Sequence, residues 1–345
     1  MPGGKRDLRW AAWLLALAVV ALAGCSKEQA SSNGSGGGGN AAGGKKKIVF
    51  VFKIGGISYS EACKEGAEQA SADPKINADV EYEASSEGTS EKQADIIDQQ
   101  IVGHADAIVV SPVDAKAIVP SINKAAAANV KPYTWDSDAP DSKRIFYVAA
   151  VDDVQIGVDV GDALAQSLGG KGKVLIFSGQ RTAENLNKHV QGIEQALKKV
   201  PGITVVQPYI YNNDDKATAT SMAYQALQAH PDVTGIACSN SVSPPAAGEA
   251  IRKLHLTGKV KVWGLGLPSE NKTYLQDGSV TGLYLWDPKK LTYLTAVLVK
   301  NDLDGHPPQN GQEIGDAGKI TVAGPLVTLP LRLRITKENV DQLNF

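Results

Sequence analysis

A chain of 345 residues, 43% hydrophobic and 21% charged, has the apolar content for a sizeable core and the length for two lobes. Its net charge of -2, with Lys and Arg scattered apart from Lys45–Lys47, gives no electrostatic case for nucleic acid. After residue 25 no run approaches the roughly 18 apolar residues that a membrane span requires.

The first 25 residues read as a secretory signal: Lys5, Arg6 and Arg9 precede the apolar stretch Ala11–Ala23 and the small residues before Cys25. Leu22-Ala23-Gly24-Cys25 resembles the bacterial lipobox, which implies acylation of Cys25, an extracytoplasmic location (periplasm or cell surface) and a lipid anchor in the membrane. Residues 26–46 form a Gly- and Ser-rich linker, and about 20 such residues span roughly 25 Å root-mean-square. Cys63 and Cys238 read as buried thiols, with a single bridge as the alternative.

Downstream, apolar β-branched runs alternate with amphipathic helices. Strands are predicted at Ile48–Phe52, Asp79–Ala84, Ala107–Val110, Pro132–Trp135 and Ile145–Val148, with helices at Ser60–Ala72, Ser90–Gly103 and Ala115–Ala128. The order then repeats. Helices are predicted at Val154–Leu168, Ala183–Lys199, Lys216–Ala229, Pro244–Leu254 and Pro288–Lys300. Strands fall at Lys173–Phe177, Thr204–Tyr211, Gly235–Ala237, Val260–Gly264 and Gly282–Trp286. Two successive doubly wound α/β units give two Rossmann-like lobes, whose facing strand ends make a cleft. Polar clusters follow those strands: Lys53–Tyr59, Ser111-Pro112, Asp136-Ser137-Asp138, Ser178–Arg181, Tyr211–Asp214, Ser239–Ser241 and Asp287.

Lys53-Ile54-Gly55-Gly56, Ala107–Ser111, Thr134-Trp135-Asp136-Ser137-Asp138, Leu285-Trp286-Asp287 and Ile335–Val340 together resemble the type I periplasmic sugar-binding proteins. The likeness is greatest to the subgroup that binds autoinducer-2 and rhamnose, and it extends over nearly all of residues 47–345. The resemblance implies a three-crossing hinge, with crossings near Val151, near Asp287 and after Val322. It divides the chain into a first lobe (47–150 plus 288–322) and a second (151–287 plus 323–345). It also implies a monomeric solute-binding protein that hands a small sugar to an ABC transporter permease, with no cofactor.

Sugar sites combine planar polar groups with aromatic faces. Asp136 is a candidate ligand carboxylate or a helix cap, and Asp138 a second candidate or the cap itself. The resemblance implies a ligand role for Lys53, whose alternative is a salt bridge in the cleft, and for Tyr59, whose alternative is core packing. Asn240 offers a donor and an acceptor to a hydroxyl pair, or is a turn residue. Trp286 and Asp287 close a strand beside a crossing, where Asp287 binds a hydroxyl or braces the hinge. Asn185-Leu186 stands where the autoinducer-2 proteins carry Asp-Gln, and Ser239 and Ser241 stand where they carry Pro and Ala. Asn187 and Gly266 stand where ribose binders carry Arg and Asp. A Leu for a Gln removes a donor and an acceptor, so these departures favour a pentose or a deoxyhexose such as rhamnose over autoinducer-2.

Catalysis has little support. The five histidines are isolated, no hydrolase or metalloprotease motif is present, and Gly264-Leu265-Gly266 lacks the third glycine of a dinucleotide fingerprint. A repressor of the same fold would carry a helix-turn-helix where the signal and linker stand. A role as a sensor component feeding a chemoreceptor or kinase is the alternative to uptake.

Overall fold

The structure, a computed structural model, describes residues 44–345. The expected signal sequence, Cys25 and the linker up to residue 43 lie outside the described residues. Lys46, expected to end the linker, instead opens the first strand and pairs with Asp106 at 2.8 Å.

The first half runs β1 (Lys46–Phe52), α1 (Ser58–Ala72), β2 (Ala78–Ala84), α2 (Ser90–Val102), β3 (Ala107–Val110), α3 (Val119–Ala127), β4 (Lys131–Trp135) and β5 (Tyr147–Ala149). The second half runs α4 (Asp153–Ser167), β6 (Gly172–Ser178), α5 (Glu184–Lys198), β7 (Ile203–Val205), β8 (Ile210–Tyr211), α6 (Lys216–Ala229), β9 (Val233–Cys238), α7 (Ser243–Lys253), β10 (Lys261–Leu265), α8 (Pro268–Asp277) and β11 (Gly282–Leu285). The chain ends with α9 (Pro288–Leu303), β12 (Thr321–Ala323), β13 (Leu326–Thr328), β14 (Leu333–Ile335) and a 3-10 turn at Val340–Gln342.

These strands form two sheets, ordered β12-β13-β5-β4-β3-β1-β2 and β14-β11-β10-β9-β6-β7, with β8 beside β6. The pairings from β1 to β5 and from β6 to β11 are parallel. Ile48–Phe52 and Ala107–Val110 are buried on both faces, as continuous apolar runs in a covered parallel sheet must be. Helix starts follow capping chemistry: Thr89 accepts from the Lys92 amide, Asp152 from Gln155 and Asp215 from Thr218.

Helices α4 and α5 cross so closely that two glycines are obligatory. A Cβ on Gly157 would lie 2.2 Å from the His189 carbonyl oxygen, and one on Gly192 would lie 2.0 Å from that of Val154. This crossing seats His189 of α5 against Asp153, the first residue of α4.

Several expectations need correction. The strand expected over Thr204–Tyr211 is two short ones, because Pro208 has no amide hydrogen to give a ladder. The helix expected from Ala115 starts only at Val119, with Pro120 in its first turn, where a proline is tolerated. Helix α8 is absent from the expected elements: only Pro268, Asn271 and Leu275 are buried, so its apolar period is faint, although Pro268 and Gly278 (φ +80°) punctuate its ends. The chain passes between sheets after β5 and after β11, and α9 packs on α1 of the first lobe. The third crossing comes later than Val322. β13 pairs with β5 in the first sheet, and Leu329 and Leu331 still bond to Ala149 and Ala150 before β14 joins β11. Cys63 and Cys238 are free, buried thiols.

Gly192→Ala is expected to lower the stability of the fold by about 1–3 kcal/mol through forced separation of α4 and α5. Denaturant unfolding of the variant beside the parent checks this, and equal midpoints would contradict the close crossing.

Candidate ligand-binding site

Strand ends of both sheets converge on one narrow cavity of about 40 Å³. Lys53 follows β1, Asp136 follows β4, Ser239 and Asn240 follow β9, and Trp286 follows β11; all line the cavity. This is where a doubly wound sheet binds ligands, because the strands' carboxyl ends leave a crevice between the loops.

The centre of the site is a buried ion pair. Lys53 Nζ lies 2.9 Å from Asp136 Oδ2, and both side chains are less than a tenth exposed. Ser111 donates to the same carboxylate oxygen at 2.7 Å, and Tyr59 donates to the other at 2.9 Å. The Trp286 indole N–H donates in turn to the Tyr59 hydroxyl at 2.8 Å. Burial and the adjacent Asp136 charge push the Tyr59 phenol well above its usual range, so it remains a donor. Asp136 holds φ +59°, a left-handed conformation that Asp tolerates better than most residues.

The second lobe meets this pair directly. Lys53 Nζ donates to Asn185 Oδ1 at 3.3 Å across the cleft. Asn240 donates to Asp214 Oδ1 at 2.7 Å and to Asn212 Oδ1 at 3.0 Å, and it accepts from the Ser243 hydroxyl. Burial raises the Asp214 carboxyl above its usual value, opposed by Lys53 and the Asn240 bond. Gly179 makes room for that carboxylate, since a Cβ there would lie 2.1 Å from Asp214 Oδ1. Apolar faces of Phe52, Ile54, Ile57, Leu186, Leu265 and Leu285 complete the wall.

Of the residues expected from sequence, Lys53, Tyr59, Asp136, Asn185, Asn240 and Trp286 come together here. Three do not line the cavity. Asp138 is held by Thr134 at 2.6 Å, by the Ala139 amide and by both arms of Arg144, a bidentate pair that occupies its oxygens. Asn187 points to the Arg181 carbonyl at 3.1 Å in an exposed position. Asp287 caps α9, accepting from the Lys289 and Lys290 amides at 2.9 and 3.3 Å.

Sequence reasoning does not select Asp214 or His189. Asp214 belongs to one of the polar clusters that follow strands, which is a usable signal. His189 carries none, because its neighbours come from α4, the loop after β9 and Trp286 after β11. Among the described residues no group of His, Cys, Asp or Glu side chains is arranged to hold a metal ion.

Two sheets with convergent carboxyl edges and a polar cavity between them agree with comparison to known proteins, in which a periplasmic binding protein domain matches residues 48–307. The chain belongs to this family. It is 30% identical over 200 residues to the D-ribose/D-allose-binding protein of Pseudomonas aeruginosa, covering 56% of this chain and 62% of that relative's length. Its structure superposes on LsrB of Clostridium saccharobutylicum in complex with AI-2 with a TM-score of 0.79 and 26% identity, covering 87% of this chain and 100% of that one. A solute-binding protein of Burkholderia graminis in complex with D-arabinose gives a TM-score of 0.76 and 25% identity over 88% of this chain and 99% of that one. This periplasmic binding protein shares the two-lobe α/β architecture of these structures.

Tyr59→Phe leaves the Trp286 indole N–H buried without an acceptor and removes one donor from Asp136. A loss of about 1–3 kcal/mol is expected in chemical unfolding. Because the folded-state value of Asp214 is raised, its stabilising contribution is full below pH 3.8 and fades as pH rises through the raised value. The stability of the parent relative to Asp214→Asn is therefore expected to fall as pH rises from about 4 towards neutrality, measured as urea midpoints at each pH.

Proposed function

We propose that this chain is the extracytoplasmic solute-binding component of an ABC importer, lipid-anchored at Cys25, which captures a small neutral sugar between its lobes. One observation carries the reading: Lys53 of the first lobe and Asn185 of the second meet inside a small cavity walled by aromatic and aliphatic faces. A ligand seated there touches both lobes at once, and it favours the closed arrangement by its differential affinity for that state.

The polar inventory favours a sugar with few hydroxyls. Two protons of the Lys53 ammonium are directed to Asp136 and Asn185, leaving one. Asn240 is engaged with Asp214, Asn212 and Ser243, and Leu186 presents a hydrocarbon face. A pentose, or a deoxyhexose such as rhamnose with its methyl on an aliphatic wall, leaves fewer groups unpaired than a fully hydroxylated hexose. The relative named for D-ribose/D-allose and the structure in complex with D-arabinose support a small sugar as the ligand. The protein acts as a monomer and delivers its sugar to a permease.

A melting-shift screen of pentoses, deoxyhexoses, polyols and AI-2 is expected to give a shift with one of the first two classes, since ligand at about 100 times Kd adds about 2.7 kcal/mol. Asp136→Asn is expected to abolish that shift while keeping the native circular dichroism spectrum. Asp136→Ala is a poorer probe, because it takes from the buried Lys53 the acceptor oxygen that Asn keeps as well as the counter-charge. Full affinity in Asp136→Asn would exclude the proposed site.

A further inference from the structure

From His189 at the cavity wall, a chain of buried polar groups runs back between the lobes. His189 Nδ1 lies 3.0 Å from the Ser239 main-chain oxygen, and a carbonyl oxygen only accepts, so Nδ1 carries a proton. Nε2 is shut off from solvent without a hydrogen-bond partner and faces Asp153 Oδ1 at 3.4 Å. The other Asp153 oxygen lies 3.0 Å from the Tyr147 hydroxyl, and that hydroxyl lies 3.1 Å from the main-chain oxygen of Asp136.

The proton count of this chain is unequal to its contacts. Tyr147 has a single hydroxyl proton for two acceptors, a carboxylate oxygen and a carbonyl oxygen. Burial beside Asp153 and Asp136 pushes the Tyr147 phenol well above its usual range, so the hydroxyl keeps that proton. Each bond is therefore made at the other's expense. The acceptors belong to different lobes. Tyr147 and Asp136 stand at the strand ends of the first sheet, while Asp153 opens α4, which packs on α5 and on strands of the second. The first hinge crossing, at residues 150–152, runs between Tyr147 and Asp153.

Asp136 is the residue for which this matters. Its left-handed backbone persists only if the surroundings over-determine it. Two main-chain contacts do so: its amide donates to the Val148 oxygen at 3.1 Å, and its oxygen accepts from Tyr147.

We propose that Asp153 is a positioning residue that competes with the Asp136 carbonyl for the Tyr147 proton, so that the set of the ligand carboxylate is coupled to the pose of the second lobe. This rests on the reading of Asp136 as the ligand carboxylate. His189 Nε2 faces the far oxygen of Asp153, and the near oxygen meets Tyr147. Opening of the hinge draws Asp153 away and returns the hydroxyl to Asp136; closure divides it.

Competition makes a prediction of opposite signs. Amide hydrogen exchange at Asp136, followed by NMR on the full chain without sugar, is expected to speed up about tenfold in Tyr147→Phe. It is expected to slow several-fold in Asp153→Ala, whose loss leaves the Tyr147 proton wholly to Asp136. The double variant is expected to match Tyr147→Phe, since Asp153 has no effect without the hydroxyl. Exchange in Ile236 and Ala237 of β9 reports general loosening, and Asp153→Leu, which has similar volume and no acceptor, replaces Asp153→Ala should that variant loosen the fold. Faster exchange at Asp136 in the Asp153 variant with β9 unchanged, or additive effects in the double variant, would overturn the proposal. Because no sugar is present, this outcome is separate from the melting-shift screen, whose failure would overturn the sugar reading alone.

Discussion

Lys53 and Asp136 form an ion pair in a space nearly closed to solvent, and much of the site is arranged around the consequences. Taking both charges out of water is costly, and their attraction offsets that cost only where further hydrogen bonds satisfy the remaining oxygens and protons. Ser111 and Tyr59 supply those bonds to the carboxylate, and Asn185 supplies one to the ammonium. Tyr59 needs an orienting donor of its own, which is Trp286 at the start of the second crossing. One buried pair thus reaches into both lobes and the hinge through hydrogen bonds.

The second lobe presents a stiffer counterpart. Asp214, Asn240, Asn212 and Ser243 bond to one another, and Gly179 lets the Asp214 carboxylate lie against the backbone. A polar network whose members are satisfied specifies one arrangement, and here it forms a fixed wall of the cavity. Three further contacts join the lobes: Ser58 donates to Glu270 at 2.7 Å, the Ala115 amide donates to the Thr182 carbonyl at 3.3 Å, and the Thr182 hydroxyl donates to the Val113 carbonyl at 3.3 Å. Glu270 is also held by Lys216 of its own lobe. Such bonds are individually modest.

Much of the candidate site is legible in the order of residues along the chain. Lys53, Tyr59, Asp136, Asn240 and Trp286 follow or flank apolar strands, and a parallel sheet sends whatever follows its strands to one edge. Residues away from strand ends are harder to place. Asp138 lies two residues beyond Asp136 and has the same chemistry, yet Arg144, farther along the same loop, claims it. Asn187 lies on the same helix as Asn185 but two residues on, which turns it to a different face. His189 reaches the cavity only because glycines let α4 and α5 touch.

What the sequence by itself determined is the alternation of strand and helix, its repetition, and hence two covered parallel sheets whose edges carry polar residues. Those features follow from local hydrophobic periodicity, which each segment displays without its partners. The tertiary structure alone decided which carboxylates face the cavity and which are consumed by an arginine or a helix cap. It also decided that the third crossing waits for β13, and that Tyr147 stands between Asp136 and Asp153. These are outcomes of competition for a limited number of protons and acceptors among residues distant in the chain. Only the folded arrangement brings the competitors together.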